Sequence, residues 1–376
     1  MAKITRHGTT AHRAVGAPRL AVFAHLVCDL PGSSFAFVMA TGIVSIGAGL
    51  LGFGRLAEIL LAINLVAFPA LSAAIVFRLV QRPSAFLAEL RNDRRGPGLF
   101  DNRCRAGVFG DQIWLLTSHR RIAAGLLLAA FAIWVCLIYC LFAAATIRTA
   151  KPPLGVAFDG NWLLAVVATE SLAILGTEAK SEFSAPETIV FASLCLFLLG
   201  GVFYLIIITL ILYRWLFEQM RPHQLTPSYW INMGAAAIST LAAVQLVPAV
   251  RPYPVLASSD AFLVGGTVLF WSVASWWMPL LLAVMIWRHV SGVPLTYRFE
   301  YWSMVFPLGM YTVATFSLAR LIDIDGLFLN ARVFIWIAVA AWCVVSLGMM
   351  RHMISILRLS VGGAPCRENA EYNRSE

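Results

Sequence analysis

The chain has 376 residues, 60% of them hydrophobic and only 12% charged, against about 25% charged in soluble domains. A soluble fold of this length needs roughly two or three domains, each with a polar coat, and these charges cannot coat one. A cytosolic enzyme, a disordered chain and a secreted disulfide scaffold are excluded; the expected fold class is all-α, a polytopic membrane protein in a lipid bilayer.

Residues 1–30 form a basic N-terminal arm. Its stretch LAVFAHLVC (20–28) is short and runs at once into Pro31 and a full span. It reads as an interfacial helix rather than a signal-peptide core. A helix crosses the ~30 Å hydrocarbon core with about 20 residues. Apolar runs between charge and turn signals predict ten transmembrane helices: 31–54, 56–80, 98–117, 121–147, 161–178, 187–214, 228–249, 262–288, 299–321 and 331–357. Short connections make consecutive helices antiparallel neighbours. Residues 31–357 form one transmembrane domain, and residues 358–376 a polar tail.

With both termini in the cytoplasm, 19 of the 28 Lys and Arg residues fall inside and seven outside, while Arg103 and Arg105 lie within the third span. The positive-inside rule expects such a bias. The net charge of +9 is therefore topological, and no nucleic-acid partner is expected. The expected location is the plasma (cell or inner) membrane. Of seven cysteines, five lie in apolar runs, where they pack as small hydrophobes. Cys136 and Cys140 are one turn apart but have no His or carboxylate nearby to complete a metal site. No metal or cofactor is expected.

The helices differ in polarity. In the first span Ser34, Val38, Thr41, Ser45, Ala48 and Gly52 share a narrow arc at about 100° per residue. The third carries Asp101, Arg105 and Gln112 on one face. The fifth has Thr169, Ala173 and Gly176, with Glu170 beside them. In the seventh, Asn232, Ala236, Ser239 and Ala243 align. The ninth aligns Phe306, Met310, Val313, Ser317 and Arg320. The even-numbered spans lack comparable stripes, apart from a lone Asn64. Polar groups facing lipid are costly. The expected arrangement puts the five odd helices in an inner ring around a central pore, with the five even helices outside. The bland alternative is that small residues only permit close helix packing.

Charges within the membrane have two readings. Asp101 and Arg105, four apart, form a favourable helical pair. Arg103 faces the other way, with Glu170 as a partner if the helices are adjacent. These groups either attract anions and carry a proton or make structural ion pairs. Arg320 either draws anions to the outer mouth or pairs with Asp323 or Asp325. Phe306 precedes Pro307, which removes a backbone bond and can kink the ninth helix. The ring can plug a narrow path or simply pack.

Six ordered stretches carry a family likeness: FAFVMATGIVSIG (35–47), RRGPGLF (94–100), WLLAVVATESLAILG (162–176), PSYWINMGAAAISTLA (227–242), WSVASWWMPLLLAVMIWRH (271–289) and YWSMVFPLGMYTVATFSLA (301–319). Together they resemble the tellurite-resistance/dicarboxylate transporter family, which includes malate transporters, sulfite exporters and plant slow-type anion channels. The resemblance implies ten helices around a pore lined by the odd ones, commonly in a homotrimer. It also implies that the phenylalanine of the ninth-helix F-P motif occludes the pore, and Phe306 matches it. Two departures stand out. The third helix of relatives is usually uncharged between its GPG and its later Gly-x-Gln, whereas Asp101, Arg103, Arg105 and Asp111 intrude here. The fifth-helix motif often reads ATQSLA, and Glu170 replaces its Gln. A co-adapted pair between Arg103 and Glu170 would explain both.

The leading expectation is transport of a small anionic substrate, a C4-dicarboxylate such as malate or an inorganic oxyanion, through a pore limited by Phe306. The alternative is a proton-coupled secondary transporter with Glu170 as proton carrier. An intramembrane enzyme is disfavoured: no GxSxG or HExxH occurs, and all seven histidines lie in arms, connections or span ends. A membrane scaffold would tolerate apolar replacement of the stripes.

Overall fold

A computed structural model describes residues 36–81, 120–149, 151 and 159–361. Nine helices carry the described part. They are α1 (Ala36–Leu50), α2 (Gly54–Gln81), α3 (Arg120–Ile147), α4 (Leu164–Ala179), α5 (Pro186–Phe217), α6 (Ile231–Val250), α7 (Asp260–Val290), α8 (Trp302–Ile322) and α9 (Asp325–Val361). One-turn pieces and 3-10 turns join them, and no strand occurs among the described residues. The expected third span lies outside the described residues, so α1 and α2 are the first and second spans and α3 to α9 the fourth to tenth. Among the described residues, eight helices are long and apolar enough to cross a membrane; α1 is apolar and 15 residues long.

Burial divides the helices into two classes. In the most apolar stretches of the spans containing α4, α6 and α8, 94%, 89% and 72% of residues are buried. In α2, α3, α5, α7 and α9 the shares are 22%, 28%, 39%, 28% and 11%. Residues 36–48 of α1 are buried except for Phe37. The exposed faces of the second class are themselves apolar, with Leu205 and Ile206 on α5, Leu269 and Trp276 on α7, and Val333 and Trp336 on α9. Such faces suit hydrocarbon, not water.

Each buried helix packs against the exposed helix that follows it in the chain: α1 on α2, α4 on α5, α6 on α7, α8 on α9. The buried helices also pack on one another in the order α4, α6, α8, α1. This row contains four of the five odd-numbered spans. The backbones approach closely because glycines stand at the crossings. A Cβ on Gly234 would lie 2.8 Å from Pro307 of α8, and one on Gly309 would lie 2.7 Å from Ile43 of α1. In lipid, where apolar surface gives helices no preference for each other, such small-residue contacts supply the association.

Indole donors tie the two classes together. Trp134 of α3 donates to Thr169 Oγ1 of α4 at 3.0 Å, Trp271 of α7 to Thr315 of α8 at 2.9 Å, and Trp342 of α9 to Thr41 of α1 at 3.0 Å. An indole N–H has one donor and no water to meet at this depth, so the nearest threonine hydroxyl satisfies it.

Gly309→Ala is expected to destabilise the protein by about 1–3 kcal/mol through overpacking, read from the unfolding midpoint in detergent. Gly265→Ala, where a Cβ meets nothing within 4 Å, is expected to be neutral or slightly stabilising, because alanine is the better helix former. Equal behaviour of the two would remove the close-packing account.

Candidate functional site: the buried helix row

Neighbouring helices meet α8 on several sides. Pro307 lies against Gly234 of α6, and Gly309 against Ile43 and Val44 of α1. Tyr311 stacks on Trp271 of α7 with ring centroids 6.2 Å apart, its hydroxyl 2.9 Å from that of Ser275. Thr315 accepts from Trp271. At about 100° per residue, Phe306, Met310, Val313 and Ser317 share one face that ends at Arg320; Val313 borders Gly47 of α1, and Phe306 and Met310 belong to the buried apolar core. Phe306 is 3% exposed and Met310 1%; Ser317 is half-buried and Arg320 exposed. Access therefore increases along this face toward the C-terminal end of α8. At the corresponding end of α4 and α6, Gln245 donates to Glu178 at 3.0 Å, and both are half-buried.

Three expected lining residues are engaged elsewhere. The Thr41 hydroxyl accepts from Trp342, and Ser45 donates to the Ala57 carbonyl of α2 at 2.7 Å. Thr169 donates to its own Ala165 carbonyl at 2.7 Å while accepting from Trp134. The hydroxyls of Thr41, Ser45 and Thr169 thus make their hydrogen bonds with the outer helices or, for Thr169, also within its own helix. In apolar surroundings a hydroxyl takes the nearest acceptor. Asn64 fits the same pattern, donating to the Val38 carbonyl at 3.0 Å. On α4, Ser171 is buried and donates to Val167 at 2.8 Å. It stands about 160° around the helix from Thr169 and was missed because it sits outside the small-residue stripe. Ser34, Asp101, Arg103 and Arg105 lie outside the described residues.

On α6 the polar residues behave differently. Asn232 is fully buried, and neither atom of its side-chain amide has a partner; its backbone carbonyl accepts from the Tyr204 hydroxyl at 3.2 Å. Ser239 lies 3.0 Å from Glu170 Oε1 and 3.0 Å from the Ala235 carbonyl. Glu170 is fully buried, and its Oε2 has no hydrogen-bond partner. The partner found for Glu170 is therefore Ser239; the expected Arg103 lies outside the described residues. Arg320, among the described residues, pairs with neither Asp323 nor Asp325. Asp323 turns the chain in a left-handed conformation at φ 55°, and Asp325 stands in the first turn of α9, where the helix dipole favours an acid.

The N-terminal ends of three buried helices meet. Each is entered through a 3-10 turn: Gly160–Leu163 into α4, Pro227–Trp230 into α6 and Phe299–Tyr301 into α8. The first turn touches the second and the second the third. Gly160 is required here, because any Cβ would collide with the Ser228 carbonyl. Asp159 caps the first turn, accepting from the Asn161 backbone N–H at 2.9 Å and its side-chain amide at 3.0 Å. Arg214, at the end of α5, donates to the Tyr229 hydroxyl at 2.8 Å. Burial pushes the Asp159 carboxyl from its ordinary 3.8 up to about 6, against the lowering effect of the Asn161 hydrogen bonds and of Arg214.

Residues 29–350 match the sequence profile of the voltage-dependent anion channel family. The chain belongs to this family. It includes the tellurite-resistance transporters that the six motifs resemble, and membership implies anion transport across a membrane. The chain is 34% identical over 155 residues to an uncharacterized membrane protein of Mycobacterium tuberculosis, an alignment covering 41% of this chain and 78% of that protein. It is also similar to two uncharacterized transporters of Methanocaldococcus jannaschii, at 27% and 26% identity over 116 residues, covering 31% of this chain and 32% of each relative. As a member of the voltage-dependent anion channel family, the protein is a multi-pass membrane transporter rather than a member of an enzyme family.

The Asp159 cluster has a measurable consequence in this anion channel relative. Because its carboxyl holds a proton more tightly folded than unfolded, Asp159 works against folding as pH rises from about 4 through 6. Asp159→Asn is expected to flatten that part of the stability–pH profile, measured as melting midpoints of the purified protein between pH 4.5 and pH 7.5 (about three units). An unchanged slope would show that other groups set it.

Proposed function

We propose that the protein conducts small anions along the axis of a five-helix inner ring, formed by α1, α4, α6, α8 and the third span, with α2, α3, α5, α7 and α9 outside. Phe306 is the constriction. The observation supporting this is the face of α8 that carries Phe306, which is buried at Phe306 and Met310 and opens at Ser317 and Arg320. Family membership supports the anion as substrate. Within that class we favour a C4-dicarboxylate such as malate, or an inorganic oxyanion. The protein sits in the cell or inner membrane with both termini cytoplasmic, as a homo-oligomer of three copies.

The direction of the inner helices favours anions. Because the outer helices return the chain, α4, α6 and α8 start on one side, as their touching N-terminal turns require. Their dipoles then place partial positive charge at the same mouth, where oriented backbone N–H groups attract anions without a fixed cation. Beyond that mouth the path is lined by Phe306, Met310 and Val313 and is apolar, which lets a weakly held anion leave. Ser317 and Arg320 meet it at the far side.

Phe306→Ala removes the ring from the constriction. It is expected to raise anion flux severalfold in proteoliposomes of the full chain, measured with malate, chloride, nitrate and sulfite at two pH values. Unchanged flux from an intact, monodisperse variant would remove the gate assignment, and absence of flux for every anion in the wild type would remove the conduit.

A further inference from the structure

Glu170 is a fully buried carboxyl that the conduit does not use. It lies at the middle of the Gly160–Glu182 span, at the depth where ionisable groups are most costly and mark ion or proton pathways. Its surroundings form a niche between three helices. On α5, Gly200 leaves room for the carboxyl, since any Cβ there would collide with its Oε1 and Cδ. On α6, Ser239 reaches Oε1. The niche thus borders α5, one of the largely exposed helices.

Ser239 can serve both protonation states of the carboxyl. Its hydroxyl has one hydrogen and two acceptors at equal distance, Glu170 Oε1 and the Ala235 carbonyl, both at 3.0 Å. When Glu170 is ionised, Ser239 donates to it. When Glu170 holds a proton on Oε1, that O–H donates to Ser239 Oγ, and the serine hydrogen turns to Ala235. The proton arrives from water and returns to water, so no other reactant is needed.

No opposing charge faces the niche among the described residues. From α5 it meets Gly200, with Arg214 about 21 Å further along that helix. From α6 it meets Ser239, and from α3 the nearest contact is Trp134 on the adjoining Thr169. On α4 itself, Glu178 lies about 12 Å away and is bound to Gln245. A polar step leads toward the niche. Asn232 stands seven residues before Ser239 on nearly the same face of α6, about 10 Å nearer the N-terminal ends, and both atoms of its buried amide are unpartnered.

We propose that Glu170 is a proton-binding site in a side niche, reached past Asn232, and that Ser239 and α6 transmit its occupancy to the Phe306 constriction. This rests on the conduit reading. The link is α6: Gly234, which seats Pro307 beside Phe306, lies five residues from Ser239, about 7.5 Å along the helix and 140° around it. Anion and proton then take separate routes that share one helix.

The test uses the full chain in proteoliposomes, with malate and chloride as probes and imposed pH gradients. Wild-type flux is expected to respond to pH by up to about tenfold per unit, the limit for a single proton. Glu170→Gln, nearly isosteric and uncharged, is expected to keep flux but lose that response. Retention of the wild-type pH response by Glu170→Gln overturns the proposal while leaving the conduit standing. Infrared spectra of the purified protein give a readout free of transport. A protonated-carboxyl C=O band that responds to pH, shifts in Ser239→Ala and vanishes in Glu170→Gln is expected. A band set indifferent to both variants overturns the proposal even if the conduit reading fails or Glu170→Gln does not fold.

Discussion

In a hydrocarbon solvent, apolar surface alone does not hold helices together, so the close approach of α4, α6, α8 and α1 has to come from shape. Gly234 receives Pro307 and Gly309 receives Ile43 and Val44. These contacts are short because no side chain intervenes. Everything functional in the row follows from them: they fix the rotation of α8, and with it the direction of Phe306, Met310 and Ser317. Had Gly234 or Gly309 been larger, α8 would have to turn or retreat.

Polar side chains are distributed by a second constraint, that each needs a partner where water is absent. The outer helices meet it with indoles that reach inward to Thr41, Thr169 and Thr315. These threonines contribute to holding the inner and outer layers together. The path proposed along the Phe306 face of α8 is mostly apolar, and its proposed preference for anions draws on family membership and on helix dipoles.

Two kinds of buried residue remain distinct from this scaffold. Phe306 is a large apolar ring buried on the inner helix α8. Glu170 and Asn232 are polar groups with atoms left unpaired in the interior. Buried polar atoms without partners are rare because each costs stability. Ser239 and Gly234 give α6 contact with both Glu170 and Pro307, beside Phe306.

The sequence by itself determined the class and the layout. Low charge and long apolar runs require spanning helices, because only a helix satisfies its own backbone in lipid. The alternation of polar and greasy spans separates α4, α6 and α8 from α5, α7 and α9. Six ordered motifs carried the family. Only tertiary structure decided where each polar group points. The 3.6-residue period places Thr41, Ser45 and Thr169 on a common face of their helices but does not say which neighbour that face meets, since lipid, a partner indole and a water-filled path all accept a hydroxyl stripe. That choice was made by the glycine contacts, which set the rotation of each helix and so turned Thr41 to Trp342, Ser45 to Ala57 and Glu170 to Ser239.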